Sequence, residues 1–272
     1  MDTTFTQKPA GQIADEIEYK IIGDDLQLLE VYLDPGETVI SEAGAMIYMN
    51  SDVRLDTQLG TGADTSIFGK LMSAGKRMLT GESLFLATFT ASGSKKTMVA
   101  FGAPYPGHIV AMDLRKYNGE IICQKDSFIC AANGIDVNMT FSKKLGVGFF
   151  GGEGFILEKL TGDGLAFIHA GGSIIEKELA TGETLKIDTG CIAAFTSNVQ
   201  YDIQMVGSIK SAFFGGEGLF FATLTGPGKV WLQSLPFSRM ARRIFAAAPQ
   251  GGGKQVGEGS LLGGIASMIG GD

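Results

Sequence analysis

Cysteine, histidine, tryptophan and charge are all scarce in this chain of 272 residues. Its three cysteines, Cys123, Cys130 and Cys191, are an odd number without a CxxC pair. That predicts reduced thiols in a cytoplasmic protein, not a disulfide framework. The two histidines, His108 and His169, have no HxH or HxxxH spacing, so neither a zinc site nor a Ser-His-Asp set has convincing members. No apolar run approaches the ~20 residues of a spanning helix. The opening MDTTFTQKPAGQ has no apolar h-region, so no signal peptide is expected. There is no basic excess either. A net charge of −7 counts against a dedicated nucleic-acid binder and leaves protein or small-molecule partners open.

What is abundant is apolar surface and glycine. Hydrophobic residues at 44% against charged residues at 19% describe a globular chain. Forty glycines, about double the usual share, suit many tight turns. Several fall in an internal repeat. FFGGEGFILEKLTGDG from Phe149 returns as FFGGEGLFFATLTGPG from Phe213, and MLTGESLFLATFTASG from Met78 is a weaker copy. From Glu82, Glu153 and Glu217 the same offsets lead to Thr90, Thr161 and Thr225, then to Gly93, Gly164 and Gly228. A second word, a Gly-Glu turn, precedes each copy at Gly36-Glu37, Gly119-Glu120 and Gly182-Glu183. An acid follows each turn, at Glu42, Asp126 and Asp188.

Short alternating strands between glycine turns, with almost no helical periodicity, predict an all-β fold. Residues 1–16 form a polar arm, loose at its start, and 17–237 one β body. Its three repeats, about 17–108, 109–172 and 173–237, are pseudo-symmetric and form a barrel or sandwich, since no single unit buries its own apolar face. IEYKII and LQLLEVYL read as a hairpin across Gly23-Asp24-Asp25. Ile67, Phe68, Leu71 and Met72 have helical spacing inside an inserted loop near 58–77. Residues 238–248 read as a short amphipathic helix with Ser238 as N-cap, and 249–272 as a Gly-rich, mobile tail. Phe149, Phe150, Phe213 and Phe214 are expected in the core, each pair alternating across a strand.

The repeated Glu82, Glu153 and Glu217, beside Gly152 and Gly216, have two readings. Convergent carboxylates would need a cation or protons to coexist. Alternatively, each accepts backbone N–H groups across its own glycine turn, which explains repetition without convergence and is the reading adopted. His169 in AFIHAGG aligns with Gln233 in VWLQSLP, which points to a hydrogen-bonding slot and not a metal ligand. Gly146–Gly151 formally matches GxGxxG, but a β-like run follows where a dinucleotide site needs a helix. The Arg-rich helix could lie on a membrane surface; its short apolar face favours covering an open barrel end or sheet edge.

The GGEG-x5-LTG-x-G words, PYPG at Pro104–Gly107 and VWLQSLPFSR at Val230–Arg239 together resemble the altered-inheritance-of-mitochondria, protein-twenty-four-like family over roughly residues 15–245. The resemblance implies a fold akin to the tryptophan-operon RNA-binding attenuation protein (TRAP-like, of the double-stranded β-helix type) in repeated form. It also implies ring-like or trimeric homo-oligomers. It carries no established enzymatic activity, so no catalytic, cofactor or metal residue is assigned. Mitochondrial members of the family resemble membrane-organising factors. The attenuation protein's tryptophan- and RNA-binding motifs have no counterpart here. The leading expectation is a non-catalytic oligomeric scaffold with itself, or another protein, as partner. The alternatives are a small-ligand- or metal-binding β-barrel, or an enzyme built on one, using Glu153, Glu217 and His169, and a membrane-surface protein using the helix.

Overall fold

The computed structural model describes residues 9–59, 85–143, 155–205 and 220–248. Glu82, Glu153, Glu217, Gly152, Gly216, both Phe pairs, the helix expected around residues 67–72 and the Gly-rich tail lie outside the described residues. The chain forms two units, 1–239 and 240–272.

Nineteen strands build the first unit among the described residues. A three-strand arrangement occurs in it repeatedly. Strand β6 (Phe85–Ala91) lies between β5 (Val53–Leu59) and β3 (Thr38–Glu42), while β7 (Thr97–Gly102) lies between β2 (Leu28–Leu33) and β4 (Met46–Met49). Next, β12 (Phe155–Thr161) lies between β11 (Asp136–Lys143) and β9 (Glu120–Gln124), and β13 (Leu165–Gly171) between β8 (Gly107–Asp113) and β10 (Phe128–Ala132). Finally, β18 (Phe220–Thr225) lies between β17 (Gln200–Met205) and β15 (Thr184–Asp188), and β19 (Gly228–Gln233) between β14 (Ile174–Leu179) and β16 (Ile192–Thr196). β1 (Glu18–Ile22) adds the expected hairpin to β2, with Tyr19 opposite Val31. All these pairs are antiparallel, as Gly turns between short strands allow.

Two seams fuse these half-sheets. β3 pairs with β10 and β9 with β16, giving six-stranded sheets β5-β6-β3-β10-β13-β8 and β11-β12-β9-β16-β19-β14. Of the expected barrel or sandwich, the barrel does not form: no sheet closes among the described residues, because closure needs the first and last strands of a sheet to pair, and each sheet ends on unpaired edges. Instead the open sheets share apolar clusters. Leu29, Phe101, Phe89, Phe167, Ile121 and Trp231 lie in one, and Leu157, Phe195, Ile187 and Leu224 in a second. Each of these large side chains stabilises the fold by roughly 1.5–3 kcal/mol through burial.

Strand register corrects one alignment. Thr90 lies opposite Thr38 and Thr225 opposite Thr184, with the hydroxyls 2.9 Å and 3.3 Å apart. In the middle copy Thr161 lies opposite Glu120, so Glu120 stands where the other copies have threonine, not where they have Glu37 and Glu183. The cause is the turn. Asn118 and Gly119 both take positive φ (55° and 76°), whereas Gly36 and Gly182 do so alone. For the same reason the acid expected at Asp126 is displaced, and Gln124 occupies the strand position of Glu42 and Asp188.

The polar arm is seated at its end. Ala14 is fully buried, Asp163 accepts the Ile13 and Ala14 N–H groups at 2.8 Å each, and the Asp15 N–H donates to the Asn133 carbonyl. The helix α1 (Phe237–Ala247) begins one residue before the expected Ser238 cap and has no buried residue. No helix among the described residues is long and apolar enough to cross a membrane.

Candidate functional site

Among the described residues, the recurrent wiring leaves two strand edges without their usual neighbour. β10 and β16 are buried almost end to end where they meet β3 and β9. β4, which corresponds to β10 and β16 and carries the same early register shift, ends its sheet, with Ile47 56% and Tyr48 40% exposed. β15, which corresponds to β3 and β9, likewise ends its sheet and exposes Thr184 and Lys186. An unpaired edge displays free backbone donors and acceptors to another strand. Beside β4, Glu30 accepts from Tyr32 Oη at 2.5 Å and from Tyr48 Oη at 2.7 Å. These bonds hold the Glu30 carboxyl below its ordinary value and push Tyr32 up to about 12.

A buried acid lies beside the second seam, one strand from the β9–β16 pairing. Glu158 of β12 is 1% exposed, and its Oε2 has no hydrogen-bond partner. Burial pushes its carboxyl up to about 8; the charges of Glu42 and Asp126 add to the shift and Lys125 opposes it. Cys123, directly opposite on β9, is raised well above its usual value, chiefly by burial. Sequence reasoning missed Glu158. Its signal was an acid five residues after Glu153, where the other copies have Ala87 and Ala222.

His169 and Gln233 occupy matching places after Ile168 and Leu232 in β13 and β19. Gln233 fills its slot with bonds: Oε1 accepts from the Gly171 N–H at 2.8 Å, and Nε2 donates to the Gly190 carbonyl at 2.8 Å. His169 is fully buried, edge-on to Tyr105 at 4.5 Å, and neither ring nitrogen reaches a partner at full hydrogen-bond geometry. Burial therefore pulls its pKa down to about 4; the Tyr105 backbone opposes the shift and the charge of His108 adds to it. The ring is neutral at physiological pH. His108 instead lies against the Gly172 carbonyl at 2.7 Å through Nδ1.

The Gly-Glu turns use their carboxylates locally. Glu37 accepts the Asp34 N–H and Glu183 the Ala180 N–H, each at 2.8 Å. Glu120, displaced in register, forms an ion pair with Lys159 at 2.8 Å. Among the described residues, no three of His, Cys, Asp and Glu come together to cage a metal ion.

Comparison with known proteins matches most of the chain. An uncharacterised protein of Streptococcus pyogenes serotype M6 is 30% identical over 225 residues, covering 82% of this chain and 87% of its own length. An X-ray crystal structure of a Streptococcus pyogenes protein has a TM-score of 0.68 at 23% identity, over 86% of this chain and 100% of that one, and so shares the fold. The family described as Mitochondrial biogenesis AIM24 matches residues 19–235, from β1 to just past β19. The chain belongs to the AIM24 family.

Proposed function

We propose that this chain is a non-catalytic scaffold that acts in the cytoplasm by associating with itself through its strand edges. The observation that carries the reading is the pair of edges, β4 and β15, open among the described residues, where the other edges of the same kind are paired and buried. The thrice-used wiring supports reading the body as a single-chain, repeated form of the attenuation-protein fold. The resemblance to that fold makes a trimer the expected assembly. The local bonds of Glu37 and Glu183 support a structural use of the repeated turn acids. Sedimentation velocity across a concentration series tests the proposal. A species three times the monomer mass is expected, and a monomer at every concentration overturns it.

A further inference from the structure

Helix α1 has an apolar face that the described residues do not cover. Met240, Ala241, Ile244 and Phe245 share that face by their spacing, and no residue of the helix is buried. Ile244 is 62% exposed and Phe245 75%. The helix therefore does not bury this face on a sheet edge, as its short apolar stripe led us to expect. Residues Met240–Asp272 group together as a unit apart from 1–239. The sequence of that unit holds a second apolar stripe. Leu261, Leu262, Ile265, Met268 and Ile269 recur at the spacing of one helical face, while Gly263, Ala266, Ser267 and Gly270 fall opposite. Ser260 stands where an N-cap is preferred, and Gly270 where a helix ends.

We propose that residues 261–269 fold back as a helix onto the apolar face of α1 within the same chain. Two apolar stripes on one tether bury each other without any further partner. The tether has the reach. Residues 249–260 are twelve, and a Gly-rich chain of that length has an r.m.s. span of about 19 Å. The eleven residues of α1 run about 16 Å. Effective concentration is greatest where span and reach match, so the tail competes well against a second copy or another protein for this face. Charge agrees with the pairing. α1 carries Arg242 and Arg243 and no acid, while Glu258 and Asp272 flank the second stripe. An anionic lipid surface would attract the arginines but repel these two acids of the same unit, so the acids favour the tail as occupant. Gly263 and Gly264 make the segment a poor helix by itself. Its helix is therefore gained only on docking, and the cover is reversible.

Hydrogen exchange on the full chain tests the docking. The amides of residues 265–269 are expected to exchange at least about tenfold more slowly than those of an unstructured chain. Exchange at the unstructured rate overturns the proposal. Ile265→Asp puts a charge into the apolar contact. It should speed exchange in residues 242–247 and 265–269 together, by about tenfold, while β9 and β12 keep their protection. Ile244→Asp should do the same from the other side. If either substitution leaves exchange in the opposite segment unchanged, the two stripes do not meet and the proposal fails. Two further arms identify the other occupants. Protection of residues 242–247 that falls on dilution would assign the face to a second copy. Flotation with phosphatidylserine–phosphatidylcholine vesicles, abolished by Ile244→Asp, with residues 242–247 protected only when vesicles are present, would assign it to a lipid surface. Either result overturns the tail as occupant; protection independent of both dilution and vesicles is the expected result.

Discussion

Glu158 of β12 lies opposite Cys123 of β9, where Ala87 faces Ser41 and Ala222 faces Ile187 in the matching strands. A carboxyl therefore occupies a place shaped for a methyl group. Its pKa is about 8 in the fold against an ordinary 4.5, so the unfolded chain releases the proton first. Stability attributable to this group is present below 4.5 and is lost as pH rises to about 8. A fully realised shift of that size amounts to at most roughly 5 kcal/mol. Glu158→Gln does not titrate, so its stability relative to wild type should climb through this window. Urea titrations at about pH 5 and about pH 9 measure the difference. An equal gap at both would mean that the ionised side chain reaches water.

Glu37 poses the same question on a half-buried turn. Burial pushes its carboxyl up to about 7; the charges of Asp34 and Asp15 add, while the Asp34 N–H and Lys96 oppose. Wild type should lose stability relative to Glu37→Gln between pH 4.5 and 7, since glutamine keeps an acceptor for the Asp34 N–H without titrating. Glu183→Ala removes the acceptor altogether from the Ala180 N–H, and should cost roughly 0.5–1 kcal/mol in denaturant melts. No loss would show that water replaces the carboxylate there without cost.

The hairpin of β1 and β2 and the positive φ of Gly36, Gly119 and Gly182 were legible because each depends on neighbours in sequence. Alternation with period two and a glycine at the turn state both directly. The seams were not legible. Cys130 meets Ser41 across many residues of intervening chain, and nothing local in FICAA separates it from MIYM, which stays open. The displaced register of Glu120 was hidden because Asn118, which tolerates the left-handed region, takes a place that only glycine fills elsewhere. Glu158 was visible in principle: aligning the repeat copies residue by residue isolates the single acid among alanines.

His169 should contribute to the acid limb of stability. Its pKa is lowered from 6.5 to about 4, mainly by burial, so below 6.5 the unfolded chain binds a proton that the fold refuses. Stability should fall as pH drops from 6.5 toward 4. His169→Gln copies the residue that fills the matching slot at Gln233, and should flatten that limb. Thermal melts of both proteins through the window decide, and an identical acid slope would assign the loss to other groups.

Gly134 holds the arm in place. Its φ of +98° is a conformation that side chains rarely adopt, and an added Cβ would stand 2.6 Å from Ala14 Cα and 2.9 Å from the Ile13 carbonyl oxygen. Both contacts are to backbone, so no rotamer change relieves them. The left-handed conformation alone costs a non-glycine residue about 1–2 kcal/mol. In Gly134→Ala the turn must shift or the arm must leave, and the arm is the weaker of the two. It is held by the Asp163 carboxylate, the Asn133 carbonyl and the buried Ala14 methyl, whereas the turn closes β10 to β11 within the main core. Hydrogen exchange should therefore quicken at the amides of Ile13, Ala14 and Asp15 while β9 and β12 keep their protection. Asp163→Ala should quicken Ile13 and Ala14 without straining the turn. Unchanged exchange at those amides in Gly134→Ala would show that the turn yields first and that the arm is anchored elsewhere.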